Sequence, residues 1–142
     1  MTHSDDLEHL RLLSIFHYII GGLAALFALF PLIHVGIGVW MLTSPETMSQ
    51  NSGEPPVELF GYLFAGVGLF FVLVGETMAG LIIYSGRQIQ KREKYLYSFV
   101  VACVMCLFIP FGTILGVFTI IVLSRDSVKR MYGQDIPEAE VI

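Results

Sequence analysis

Long apolar runs alternate with short polar segments along the chain, and they predict its helices. A polar lead is followed by an apolar stretch over residues 12–42, and two further apolar runs cover residues 58–85 and 95–123. A helix needs about 20 mainly apolar residues to cross a hydrocarbon core of about 30 Å. Since residues 12–42 would form a helix of about 45 Å, we expect it to kink at Pro31, whose ring disrupts the preceding turn; a break into two short helices there is the alternative.

The third run is too long for one span and contains Ile109, Pro110 and Gly112. Proline and glycine together are a strong turn signal. We therefore predict two helices, over residues 91–108 and 111–131, joined by a tight hairpin at residues 109–112. Residues 134–142 are predicted to be a disordered acidic tail. The chain is thus expected to be all-α, a single integral membrane bundle of four transmembrane helices.

The distribution of Lys and Arg predicts the topology of this bundle. All eight lie at Arg11, within residues 87–94 or within residues 125–130, and the polar segment 43–57 has none. Cytoplasmic loops of membrane proteins are enriched in these residues. Four spans place the three basic segments on one side of the membrane, whereas three spans would separate them. We therefore expect both termini to be cytoplasmic.

Composition agrees with a membrane protein. Only 14% of the 142 residues are charged and the mean hydropathy is +0.73, whereas soluble domains carry about 25% charged residues. The basic residues form no long stripe, so no nucleic-acid partner is expected. The two cysteines lie in an apolar run, which excludes a secreted disulfide framework.

Two segments carry a resemblance to known proteins. They are HYIIGGLAALFALFPLIH in the first predicted helix and PFGTILGVFTIIVL in the fourth. Together they resemble small uncharacterised bacterial inner-membrane proteins. The resemblance implies a bacterial cytoplasmic membrane as the setting, and it carries over neither an activity nor site residues.

Small residues recur at helical spacing in the second and fourth predicted helices. Small side chains let helix backbones approach closely in lipid, where water does not drive helices together. We expect them to pack the bundle internally, and a seam between copies of the chain is the alternative. These residues are Gly61, Ala65, Gly68, Gly75, Ala79, Gly112 and Gly116.

Glu76 is an acid inside the second predicted span. A carboxylate in hydrocarbon is costly unless it is protonated or paired. Counted from the helix ends, four other polar or thiol side chains fall within about one turn of its depth. We expect a hydrogen bond from Glu76 that sets the register of two helices; a group on a proton or ion path and a contact with a partner protein are the alternatives. The four candidate neighbours are His17, Tyr18, Cys103 and Thr119.

Metal binding is not predicted, although three residues are weak candidates. Cys103 and Cys106 form a CxxC pair in the middle of an apolar helix, where desolvation disfavours the thiolate. We expect them to act as small buried hydrophobic residues, with Cu(I) binding a distant alternative. His34 is expected to bond a carbonyl freed by Pro31, or a partner across the bundle, rather than a metal or a quinone-like ligand. No cofactor is expected.

The function predicted from these patterns is non-catalytic. The sequence has no phosphate-binding loop, no HExxH and no credible Ser/His/Asp arrangement, so an enzyme is not expected. Helix–helix contacts in the lipid bilayer favour an accessory or assembly subunit with a membrane-protein partner, or a homo-oligomer. A small proton or ion channel or transporter using Glu76 is the alternative. A thiol- or copper-handling protein using Cys103 and Cys106 is more distant.

Overall fold

The computed structural model describes residues 3–44, 57–108 and 110–134, and every regular element in these ranges is a helix. This confirms the all-α prediction for the described part of the chain. By length and composition, two stretches could cross a membrane: Asp5–Thr43 and Val57–Lys91. The helices are α1 (His3–Ala28), α2 (Leu32–Thr43), α3 (Val57–Lys91), α4 (Tyr95–Met105), α5 (Phe111–Leu123) and α6 (Asp126–Met131).

Pro31 divides the first predicted helix into α1 and α2, where the sequence predicted a kink within one helix. The Phe30 N–H bonds the Phe27 carbonyl at 3.1 Å, which is the tighter 3₁₀ pattern. Pro31 has no N–H to continue the α-helical ladder. The ladder resumes at Val35, whose N–H bonds the Pro31 carbonyl at 3.3 Å.

The third long helix, α3, extends six residues beyond its predicted end at residue 85. The sequence predicted a basic loop there, but Arg87 and Lys91 lie on the last turns of the helix. The extension is stabilised by packing, because Ile89 is fully buried and a buried side chain of this size contributes about 1.5–3 kcal/mol. The turn into α4 then uses positive φ angles at Arg92 (58°) and Lys94 (49°).

The third and fourth predicted spans are shorter than expected. α4 has 11 residues and α5 has 13, which corresponds to about 17 and 20 Å, against a hydrocarbon core of about 30 Å. α5 ends before residue 131 because Arg125 adopts an extended backbone (φ −67°, ψ 136°) that starts α6. Residues 45–56, Ile109 of the predicted hairpin and residues 135–142 of the predicted tail lie outside the described residues.

The chain divides into two compact units, and the boundary falls within α1 and α3. The terminal unit consists of Met1–Gly22 and Gly80–Ile142, and the hairpin unit of Leu23–Ala79. Five helices contribute to the hydrophobic core of the terminal unit. Its buried members are Leu10, Leu13, Ile82, Ile89, Val101, Met105, Leu115, Val122, Leu123 and Val128.

Candidate functional site

The terminal unit has buried polar side chains on four of its helices. Such groups are costly inside an apolar bundle unless they are hydrogen-bonded, so their grouping is the most informative feature of the unit. We call this set the polar core. Its members are Asp6, Ser14 and His17 on α1, Ser85 and Gln88 on α3, Ser98 on α4 and Thr119 on α5.

Close contact between α1 and α3 sets the depth of His17. The Ser14 hydroxyl donates a hydrogen bond of 2.8 Å to the Gly86 carbonyl. A Cβ added at Gly86 would lie 2.8 Å from the His17 Cβ, so only a glycine lets the helices approach this far. His17 therefore lies beside α3 at the level of Gly86 and the fully buried Ser85.

Two tyrosines bring the first turn of α4 to the same end of the unit. The Tyr97 hydroxyl donates to the Leu81 carbonyl of α3 at 3.2 Å. The Tyr95 hydroxyl donates to the Leu123 carbonyl of α5 at 3.0 Å. Ser98, in the same turn and fully buried, therefore lies in the interior of the terminal unit.

The α4–α5 pair is antiparallel and close. A Cβ at Gly116 would lie 2.6 Å from the Ala102 carbonyl oxygen, and one at Gly112 would lie 2.6 Å from that of Met105. Thr119 follows Gly116 by one turn, is fully buried, and donates to the Leu115 carbonyl of its own helix at 2.7 Å. The glycine pair predicted from spacing thus lies at a helix contact within the unit.

Several polar-core atoms have no hydrogen-bond partner among the described residues, including His17 Nε2, Ser85 Oγ and Ser98 Oγ. His17 Nδ1 lies 2.9 Å from the Leu13 carbonyl, which only accepts, so Nδ1 carries the proton. Nε2 of a neutral ring is then a free acceptor. The interior of the unit thus holds an imidazole that can accept a proton and hydroxyls without a partner among the described residues.

Glu76 belongs to the hairpin unit, whereas its predicted neighbours His17, Tyr18, Cys103 and Thr119 belong to the terminal unit. Its carboxylate is half-buried and forms no hydrogen bond or ion pair within the described residues. Of the four predicted neighbours, His17 and Thr119 are buried, while Tyr18 and Cys103 are exposed. The structure therefore buries two of the predicted residues, His17 and Thr119, within the terminal unit.

The predicted small-residue stripe of α3 faces α1 and α2 within the hairpin unit. A Cβ at Gly68 would lie 2.9 Å from the Pro31 oxygen and 2.9 Å from the Val35 nitrogen. A Cβ added at Gly75 would lie 2.6 Å from the Ala28 Cβ. The contacts at Gly68 are with backbone atoms, whereas the contact at Gly75 is with the methyl side chain of Ala28. The other stripe members are Gly61, which contacts Leu42 and Gly38, Ala65, which contacts Gly38, and Ala79, which is 1% exposed.

The weak metal candidates do not converge on a site. Cys103 is exposed rather than buried as expected, because the adjacent Ala102 and Met105 take the inner face of α4; Cys106 is partly buried, and both thiols are free. The His34 ring is exposed and stacks on Phe64 with centroids 6.1 Å apart, instead of bonding a carbonyl. No group of three or more His, Cys, Asp or Glu residues in the described ranges could hold a metal ion.

The sequence pattern does not single out most of the polar core. Ser14 and Ser85 are small polar residues that isolated apolar helices often carry, so nothing marks them before the helices are assembled. The available signal is the α3 stripe, which continues beyond Ala79 at the same spacing through Ile82, Gly86 and Ile89. Following it would have indicated that α3 stays packed past residue 85.

An ion pair and an aromatic contact join the ends of the chain in the terminal unit. Arg125 Nη1 lies 3.3 Å from Asp6 Oδ1, and Asp6 is 1% exposed. The Tyr95 and Tyr132 rings are 5.6 Å apart, and burial raises the pKa of Tyr132 to about 12, so this phenol stays protonated.

In comparisons with protein-family models, curated proteins and solved structures, the chain has no match in any of the three.

Proposed function

We propose that the protein is a multi-pass protein of a bacterial cytoplasmic membrane, with both termini in the cytoplasm. The α1–α2 stretch and α3 cross the bilayer, and α4 and α5 enter it as a shorter hairpin. The contacts Asp6–Arg125 and Tyr95–Tyr132 support this topology, because they gather the start of α1, the start of α4 and α6 at one end. The Lys and Arg residues concentrate at that end, as cytoplasmic ends do.

The protein acts as a non-catalytic membrane subunit through helix–helix contacts, either with a partner protein or with a second copy. The supporting observation is the composition of the two sides of the hairpin unit. Its inner contact consists of small residues, while its large apolar side chains point outward, with Phe27 76% and Tyr62 69% exposed. A two-helix unit of this kind presents nearly all of its packing surface to lipid or to other helices.

A second set of glycines marks where another helix would approach. A Cβ added at Gly36 or Gly66 would have no atom within 4 Å, whereas one at Gly38 or Gly68 would meet backbone. The inner glycines are therefore used within the chain and the outer ones are open. An open glycine in an apolar helix is a position where a neighbouring backbone fits closely.

Leucine at both outer glycines should disrupt assembly and leave the chain folded. We expect Gly36→Leu/Gly66→Leu to weaken the complex at least about tenfold, the effect of about 1.4 kcal/mol. Native mass spectrometry from mild detergent measures copy number and bound partner together. The control is Gly22→Leu, an equally open glycine in the terminal unit. A wild-type protein that runs as a lone monomer, or equal effects of both variants, would contradict the proposal.

Proton or ion movement is a second candidate function, and the polar core favours it. Ionisable residues inside membrane segments commonly mark proton and ion pathways. The sequence alone assigned this role to Glu76. The Nε2 of His17 is buried and has no hydrogen-bond partner among the described residues, which makes His17 the better-supported proton carrier, with Glu76 a separate candidate in the other unit.

Proton uptake into liposomes tests this second candidate. If it holds, His17→Gln lowers the rate of uptake about tenfold or more, because an amide cannot accept and release a proton near neutral pH. A pH-sensitive dye inside the liposomes measures the rate. His34→Gln is the matched control, since that imidazole is exposed, and Glu76→Gln tests the role assigned from sequence. Absence of uptake by wild-type protein would exclude this candidate.

A further inference from the structure

A groove on the surface of the terminal unit combines aromatic and basic side chains. Its volume is about 560 Å³, and its lining includes Tyr18 from α1 and Gly80, Tyr84, Arg87 and Lys91 from α3. Tyr84, Arg87 and Lys91 are spaced by three and four residues, so they lie along one face of α3. Tyr18 closes the groove from the neighbouring helix.

The basic end of the groove carries uncompensated positive charge. Arg87 and Lys91 are exposed, and neither forms an ion pair with a carboxylate of the described residues. Lys94 adds a third cation nearby, because its Nζ donates to the Tyr84 hydroxyl at 2.9 Å and lies 5.4 Å from the ring centroid. No acidic residue lines the groove.

The other end of the groove is apolar and open. It is formed by Ile83 and by Gly80, where an added Cβ would have no atom within 4 Å. The missing side chain leaves a depression beside the aromatic rings. One end thus suits an anionic oxygen group and the other a hydrocarbon chain, and an anionic phospholipid has both parts in this order. Basic pockets on cytoplasmic ends of membrane helices bind such headgroups.

We propose that this groove is a binding site for an anionic phospholipid, with the phosphate at Arg87 and Lys91 and an acyl chain over Gly80. The arginine provides paired N–H donors that match phosphate oxygens, and the lysine adds a point charge. The tyrosines lie where aromatic residues flank membrane headgroups. This inference rests on the proposed membrane setting and is separate from the proposed helix contacts.

Lipid retention tests the site. Delipidated protein in mild detergent is titrated with phosphatidylglycerol or with phosphatidylcholine of the same acyl chains, and bound lipid is counted by native mass spectrometry. We expect wild-type protein to retain phosphatidylglycerol preferentially, and Arg87→Gln/Lys91→Gln to retain it at least tenfold less. The control Arg11→Gln/Arg130→Gln removes the same charge outside the groove and should bind as wild type does.

A second variant tests the groove without changing its charge. Gly80→Phe fills the apolar end, where the added side chain has open space, and should also lower phosphatidylglycerol retention. Equal retention of both lipids, or an equal loss in the control pair, would overturn the site. Failure to incorporate into a lipid nanodisc would instead overturn the membrane setting, and a change in copy number alone would concern only the helix contacts.

Discussion

Gly68→Leu will destabilise the hairpin unit, whereas Gly66→Leu, two residues away, will leave it folded. A Cβ at Gly68 would lie 2.9 Å from both the Pro31 oxygen and the Val35 nitrogen, and backbone atoms cannot rotate aside. The helices must separate, at a cost of about 3 kcal/mol or more. A Cβ added at Gly66 would have no atom within 4 Å. Leucine also has a higher helix propensity than glycine, by up to about 1 kcal/mol.

Thermal unfolding in mild detergent, followed by circular dichroism, measures this difference. The second helix offers an independent pair with the same design. At Gly38 an added Cβ would lie 2.5 Å from the Ala65 nitrogen, while Gly36 is open. We expect Gly38→Leu to behave like Gly68→Leu and Gly36→Leu like Gly66→Leu. Equal stability within each pair would mean that α2 and α3 do not pack as described.

The spacing of small residues predicted the contact face of α3 but not its partner. Gly61, Gly68 and Gly75 recur every seven residues, and this period is local information that one helix carries in its own sequence. What they face depends on how the chain returns from α2. Gly38 is part of the same contact, yet the open Gly36 has the same surroundings in sequence, so local pattern could not tell the two apart.

Helix ends were predicted less well than helix existence, for a physical reason. The sequence places a membrane boundary near residue 85, because the following residues are basic. The helix nevertheless continues, since burial of Ile89 stabilises further turns. Conversely, apolar residues extend past Met105, but α4 ends there and the chain turns. Hydropathy indicates whether a segment favours lipid or water, whereas tertiary packing determines the residue at which its helix ends.

The polar core could be predicted only in part, because it depends on the register of four helices. His17 was a candidate because, counted from the helix ends, it falls within about one turn of the depth of Glu76. Ser85 and Ser98 carried no such signal, and they become informative only when packing buries them without partners. Glu76 is the opposite case. Its charge made it a candidate from the sequence, but in the hairpin unit it has no hydrogen-bond partner among the described residues.

Removing the charge of Arg125 will destabilise the terminal unit more than removing the charge of Asp6. The pair is 3.3 Å apart, but Asp6 is 1% exposed and Arg125 is 26% exposed. Arg125→Met therefore leaves a buried carboxylate whose remaining hydrogen bond, from Ser127, brings no positive charge. Asp6→Asn leaves a guanidinium that reaches water. Losing one partner of a buried pair is far more costly than losing both.

Thermal midpoints at pH 7 in mild detergent should show this asymmetry. We expect Arg125→Met to lower the midpoint by several degrees and Asp6→Asn to lower it less. The double variant Asp6→Asn/Arg125→Met should recover most of the loss, because neither charge is then left unpaired. The Lys129–Asp126 pair is the control, since it has the same 3.3 Å separation with side chains 33% and 67% exposed. Exposed pairs contribute little, so Lys129→Met should change the midpoint only slightly. Equal losses for Arg125→Met and Asp6→Asn would show that the carboxylate reaches water, and the junction of α1 with α6 would then be more open than described.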